Sequence, residues 1–174
     1  MRWLVLLPLA GCAVGGGERD WSADVDRLEL RLGSGEITVD TAPGITETLV
    51  HWEGGGLGDS GFPQAEEVDG VLRIDAKGSF IGGGEITVVL PEGVDVAVWL
   101  DRGEIDIALQ APANVLGCLA AGEVSIGVPG GAYRLDVPMA VGEVSVEGIT
   151  HDGNAPYAIS ACVAAGELNV YALE

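Results

Sequence analysis

Gly84-Glu85-Ile86-Thr87-Val88, Gly103-Glu104-Ile105-Asp106-Ile107, Gly122-Glu123-Val124-Ser125-Ile126, Gly142-Glu143-Val144-Ser145-Val146 and Gly166-Glu167-Leu168-Asn169-Val170 are five versions of one pentapeptide. Their starts lie 19, 19, 20 and 24 residues apart. A sixth, Gly35-Glu36-Ile37-Thr38-Val39, begins 49 residues before the first of them. A period near 20 is the sequence mark of a stacked repeat architecture.

Within each copy the third and fifth residues are apolar and the fourth is Thr, Asp, Ser or Asn. This is period-2 alternation, the pattern of a strand with one face inward. The residues before each Gly continue it. Leu32, Ile81, Leu100, Leu119, Met139 and Val163 stand three positions upstream. Leu28, Val96, Val115, Leu135 and Ile159 stand seven upstream in five of the copies. Each unit therefore reads as two strands meeting at a Gly-Glu corner, where a Cβ would obstruct the turn. Pro91-Glu92-Gly93, Pro129-Gly130-Gly131 and Asp152-Gly153-Asn154-Ala155-Pro156 supply turns at the far side.

One unit cannot bury its own apolar face, but stacked copies can, with strands ~4.8 Å apart. The predicted fold is all-β, a short parallel β-helix or β-solenoid of two-strand repeats about 20 residues long. The alternative is an antiparallel β-sandwich of the same strands. The interval from Gly35 to Gly84 is irregular. It holds a strand-like stretch from Ile45 to Trp52, an insertion over 53–70, and Gly70-Val71-Leu72-Arg73-Ile74, which reads as a degraded copy. The C-terminal rung, ending at Tyr171-Ala172-Leu173-Glu174, is expected to be uncovered and open to edge pairing.

The N-terminus carries an address. Met1-Arg2 is positive, Trp3 to Leu9 is apolar, and Leu9-Ala10-Gly11-Cys12 follows. This describes an export signal, too short for a span of ~20 apolar residues. The tetrapeptide ending at Cys12 resembles the lipobox of bacterial lipoproteins. That resemblance implies acylation of Cys12, including a palmitate-type chain, and a partnership with the lipid bilayer. Ala13 follows, where Asp in that family retains a protein at the inner membrane, so the outer membrane is implied. The division is then 1–11 as signal peptide, 12–24 as lipidated Cys with a flexible tether, and 25–174 as repeat domain.

Eight Lys+Arg against 27 Asp+Glu give a formal charge of −19 over 174 residues. Such a charge repels phosphate backbones, so no nucleic-acid partner is expected. It does not signal disorder, because 48% of residues are hydrophobic and periodically placed.

The Gly-Glu/Asp-Ile-x-Val repeats, with Gly84-Glu85-Ile86-Thr87-Val88-Val89-Leu90-Pro91, resemble the putative-adhesin β-strand-repeat family of bacterial envelope proteins. The resemblance covers roughly Val25 to Val170. It implies a β-helix-like stack and an adhesion role, and it brings no catalytic residue.

The glutamates Glu36, Glu85, Glu104, Glu123, Glu143 and Glu167 would form a column. Stacked carboxylates ~5 Å apart repel by about 0.8 kcal/mol each in bulk water. A divalent-cation ladder would use Glu85, Glu104, Glu123 and Glu143. The preferred reading is a solvated acidic corner, with no metal and no cofactor. Arg102, beside the Gly103-Glu104 corner, would neutralise neighbouring carboxylates.

Cys118 and Cys162 share one offset, with Pro138 in the unit between them. In chain-order stacking they lie two rungs, ~9.6 Å, apart. That exceeds the ~7 Å limit for a bridge, so two free thiols are expected. His51 and His151 lie far apart, without the company of a metal or nucleophile site. Trp99 reads as packing on the chain itself, with a sugar-stacking role as the other reading. Trp21 and Trp52 read as cap packing.

The function expected is non-enzymatic: an envelope lipoprotein that presents a β-solenoid to an envelope or extracellular protein or glycan. A structural module, homo-oligomeric through its open rung, is the alternative. A carbohydrate-active enzyme is disfavoured, since its chemistry needs distinct clustered acids in place of a regular ladder.

Overall fold

A computed structural model describes residues 15–21, 25–54, 64–77 and 83–173. The fold is all-β, a mixed parallel and antiparallel sheet of 12 strands among the described residues. In chain order they are β1 (Gly15–Trp21), β2 (Arg27–Thr41), β3 (Thr48–Gly54), β4 (Gln64–Val68), β5 (Val71–Asp75), β6 (Gly84–Leu90), β7 (Asp95–Ala108), β8 (Val115–Pro129), β9 (Gly131–Asp136), β10 (Met139–Glu147), β11 (Ile149–His151) and β12 (Ala158–Leu173).

Each Gly-Glu corner with the half-strand on either side makes one rung. In β2, β7, β8 and β12 the two halves are one continuous strand of 14 to 16 residues running through the Gly. Only two rungs are split, into β5 with β6 and into β9 with β10. Both halves feed one core. Leu28, Leu30 and Leu32 come from the first half of β2, and Ile37 and Val39 from the second. The halves face each other across it. A Cβ added at Gly117, in the first half of β8, would stand 3.2 Å from Val124 Cγ1 in the second.

The Gly is required by its neighbour's backbone. Gly122 has φ +139, and a Cβ there would overlap the carbonyl oxygen of Gly103 on the adjacent rung. Gly35, Gly103, Gly142 and Gly166 repeat the relationship with the next Gly in the stack. The corners thus nest glycine on glycine, closer than any side chain would permit.

The stacking order departs from chain order at both ends. The β2 rung lies between the β5/β6 rung and β7. The β12 rung lies between β8 and the β9/β10 rung. Only β2, β7 and β8 follow one another in chain order. The cause lies in the repeat itself. All six corners carry the same inward columns, so any copy completes any other, and connection lengths decide which arrives where.

Four expectations are corrected by this order. Gly70–Ile74 is no degraded corner. Leu72 and Ile74 pair with Leu28 and Leu30, so β5 is the first half of the rung that β6 completes. The C-terminal strand is not the open end, because β12 is flanked on both sides. The last rung is β9/β10. The stack is not wholly parallel either, since β3 and β1 cap one end antiparallel and β4 pairs antiparallel with β5. Finally, residues 15–21 of the expected tether form β1 along β3, where backbone pairing needs no particular side chain. Residues 55–63 of the expected insertion lie outside the described residues, as do Cys12 and Ile81.

Polar side chains tie the far corners. Asn114 donates to both carboxylate oxygens of Asp95, at 3.1 and 3.0 Å, and accepts from the Ala158 backbone N–H at 3.0 Å. One Asn thereby links β7, β8 and β12. Gln110 N–H donates to Thr41 Oγ1 at 2.6 Å across the same side of the ladder.

Candidate functional site

Register brings all six glutamates into one column, in the order Glu85, Glu36, Glu104, Glu123, Glu167 and Glu143. The nested glycines set this spacing, because each Glu follows its Gly directly. Beside it runs a second column of Thr87, Thr38, Asp106, Ser125, Asn169 and Ser145. The pentapeptide spells both columns, and the sheet registers them.

The carboxylates interact. Burial holds the Glu36 carboxyl above its ordinary value of 4.5, and the charges of Glu85, Glu104 and Asp106 push it the same way. Asp106 is raised by burial, then by Glu104, Glu123 and Asp40, against a lowering hydrogen bond from Ser125. Burial also raises Asp40. Asn169 Nδ2 donates to Glu123 Oε1 at 3.1 Å, so an amide of the second column bonds a carboxylate of the first.

Glu36, Glu104 and Asp106 bring one carboxylate oxygen each within 4.8 Å of one another. Of the four glutamates named as a cation ladder, only Glu104 belongs to this group. Glu85 instead lines a shallow depression of ≈ 490 Å³ with Glu36, Glu53 and Glu104 at the capped end. With one oxygen each, these three carboxylates supply three of the six to eight oxygens Ca²⁺ takes. Arg102 is exposed and enters no ion pair found among the described residues.

A third outward column reads Arg31, Trp99, Cys118 and Cys162. Arg31 lies over the Trp99 ring at 4.9 Å, a cation–π contact within the chain. Cys118 and Cys162 are direct Cα partners and form a disulfide. The expectation of free thiols is overturned because β12 inserts beside β8, so one strand spacing separates the two residues in place of two. The shared offset pointed to this bond, and chain-order stacking hid it.

The histidines stay apart. His51 lies in β3, and His151 closes β11, where its Nδ1 accepts from the Leu135 N–H at 3.1 Å. Trp52 is buried under the cap beside Ile86, as expected of cap packing. The side chain of Trp21 is outside the described set.

Several solved structures resemble the chain at low identity. A putative cell adhesion protein from Clostridium sporogenes is 14% identical, with a TM-score of 0.47 over 91% of this chain and 100% of that chain. A putative adhesin from Parabacteroides merdae is 11% identical, with a TM-score of 0.35 over 91% and 96%. One from Bacteroides fragilis is 12% identical, with a TM-score of 0.33 over 93% and 99%. No protein-family model and no curated protein matches the chain.

Proposed function

We propose that the protein is a non-enzymatic binding module of the bacterial cell envelope, a short β-solenoid held at the outer membrane by acylated Cys12. The observation that carries this reading is the unbroken column of six in-register glutamates beside a column of hydroxyl, amide and carboxylate side chains. A one-dimensional array at strand spacing matches an extended or repetitive ligand, such as a polypeptide or glycan of the envelope or its surroundings. It is a poor match for a small substrate.

Two further features support the reading. The Cys118–Cys162 disulfide suits an exported protein, since such bonds persist in oxidising compartments. The acids run as a regular ladder of six glutamates in place of the single distinct carboxyl pair that hydrolytic acid–base chemistry uses. No described helix is long and apolar enough to cross a membrane, and the lipid supplies the anchor in this proposal.

The test has two arms. Fatty-acid labelling of the expressed chain should be lost in Cys12→Ala. The unlipidated chain should retain a protein or glycan from envelope extract. Retention of nothing, with the disulfide intact, overturns the binding reading.

A further inference from the structure

The stack ends unequally. At one end β3 and β1 cover β6, and Trp52 of β3 is buried beside Ile86. At the other end the β9 half is covered by β11, whereas β10 pairs only with β12 among the described residues. Val144 and Val146 continue the core columns of Leu168 and Val170, which are 0% and 1% exposed. Yet Val144 is 45% exposed and Val146 38%. Val141 in the same strand is 69% exposed. The core columns thus run out to solvent at β10, beside a row of backbone groups with no strand opposite among the described residues.

Of the described edge strands β10 is the longest and the only one that carries a copy of the pentapeptide. β4 carries Glu66 and Glu67 and is five residues long, and β11 is three residues long. Charge and brevity are the usual protections of an edge. β10 is nine residues long, and its Gly142–Val146 segment repeats the pentapeptide that elsewhere is paired on both sides.

A second copy is a poor occupant. In such a copy β2, β6, β7, β8 and β12 already have strands on both sides, which leaves β10 itself and the shorter edges β1, β4 and β11, of seven, five and three residues. Any of these contacts would join two chains of charge −19. From Gly103 to Glu174 Arg134 is the only Lys or Arg, against nine Asp and Glu. Glu143 and Glu147 alternate with Val144 and Val146 along the edge itself.

We propose that β10 is a docking edge for an extended strand of a partner protein in which apolar and basic residues alternate. The strand adds to β10 by main-chain pairing. Its apolar residues cap Val144 and Val146, and its basic residues meet Glu143 and Glu147. This rests on the binding-module reading and names the surface and the partner's chemistry.

The probe is a fluorescein-labelled ten-residue peptide of alternating Val and Lys, titrated against the full chain by anisotropy. Saturable binding that weakens with salt is expected, with amide-exchange protection confined to residues 139–147. Glu143→Lys with Glu147→Lys should weaken binding at least tenfold, and so should Val144→Lys with Val146→Lys. Glu47→Lys with Glu92→Lys makes the same charge change on exposed residues elsewhere and should leave binding within twofold. All variants must keep the disulfide and the wild-type melting temperature within a few degrees.

Equal weakening in the Glu47/Glu92 variant, protection elsewhere, equal binding of a Val–Glu peptide, or absence of binding each overturns the proposal. Dimerisation that Val144→Lys/Val146→Lys abolishes, without peptide binding, assigns the edge to a second copy and overturns it as well. These outcomes leave the binding-module reading standing, which fails separately if the chain retains nothing from envelope extract.

Discussion

Cys118 and Cys162 sit directly opposite each other on adjacent parallel strands, with Cα atoms 4.5 Å apart and 44 positions apart in the chain. The bond fixes the last strand inside the stack. Closing a loop of that length restricts the unfolded chain by about 4 kcal/mol on the chain-entropy account. Cys118→Ser with Cys162→Ser should therefore lower stability by about that amount in denaturant titration. Non-reducing thiol labelling of the denatured wild type should find neither of the two residues reactive.

The nested corners predict a sharp contrast between glycines. Gly122→Ala sets a Cβ against the Gly103 carbonyl at φ +139 and should cost about 3 kcal/mol or more. Gly93→Ala, at φ +83 with nothing within 4 Å of its Cβ, should cost only about 1 kcal/mol. Equal losses at the two sites in paired denaturant titrations would remove the nesting argument.

The acidic columns set a pH dependence. Glu36, Asp40 and Asp106 have folded-state pKa values above their ordinary ones, so the folded chain holds protons that the unfolded chain has released. Their contribution is fully favourable below the ordinary values and is lost as pH rises through the raised ones. The melting temperature should rise as pH falls through the raised values toward the ordinary ones, 4.5 for Glu36 and 3.8 for Asp40 and Asp106. Glu36→Gln should flatten that rise and stabilise the protein at pH 7. Added salt should act in the same direction by screening the column.

The end of the stack can be located by truncation. Val124→Ala removes two methyls from a fully buried site and should cost about 2 kcal/mol. Val144→Ala, at the equivalent column position on β10, should cost under about 1 kcal/mol. Comparable losses in thermal melts would mean that β10 is covered in solution.

The corners, the alternation and the far-side turns were legible because each is local. A Gly followed by Glu and by apolar residues two apart dictates a tight corner and an inward column wherever it is placed. The glutamate column followed too, since it survives any ordering of the copies. Even Cys118 and Cys162 could be assigned a common column by offset.

By itself the sequence determined the rung: its length, its Gly corner, its buried Ile, Val and Leu, and its outward Glu. Only the tertiary structure decided the order of the rungs. Identical columns make neighbouring copies interchangeable, so the pattern carries no information about which copy lies next to which. That order places Cys162 beside Cys118, buries the C-terminal strand and leaves β10 bare.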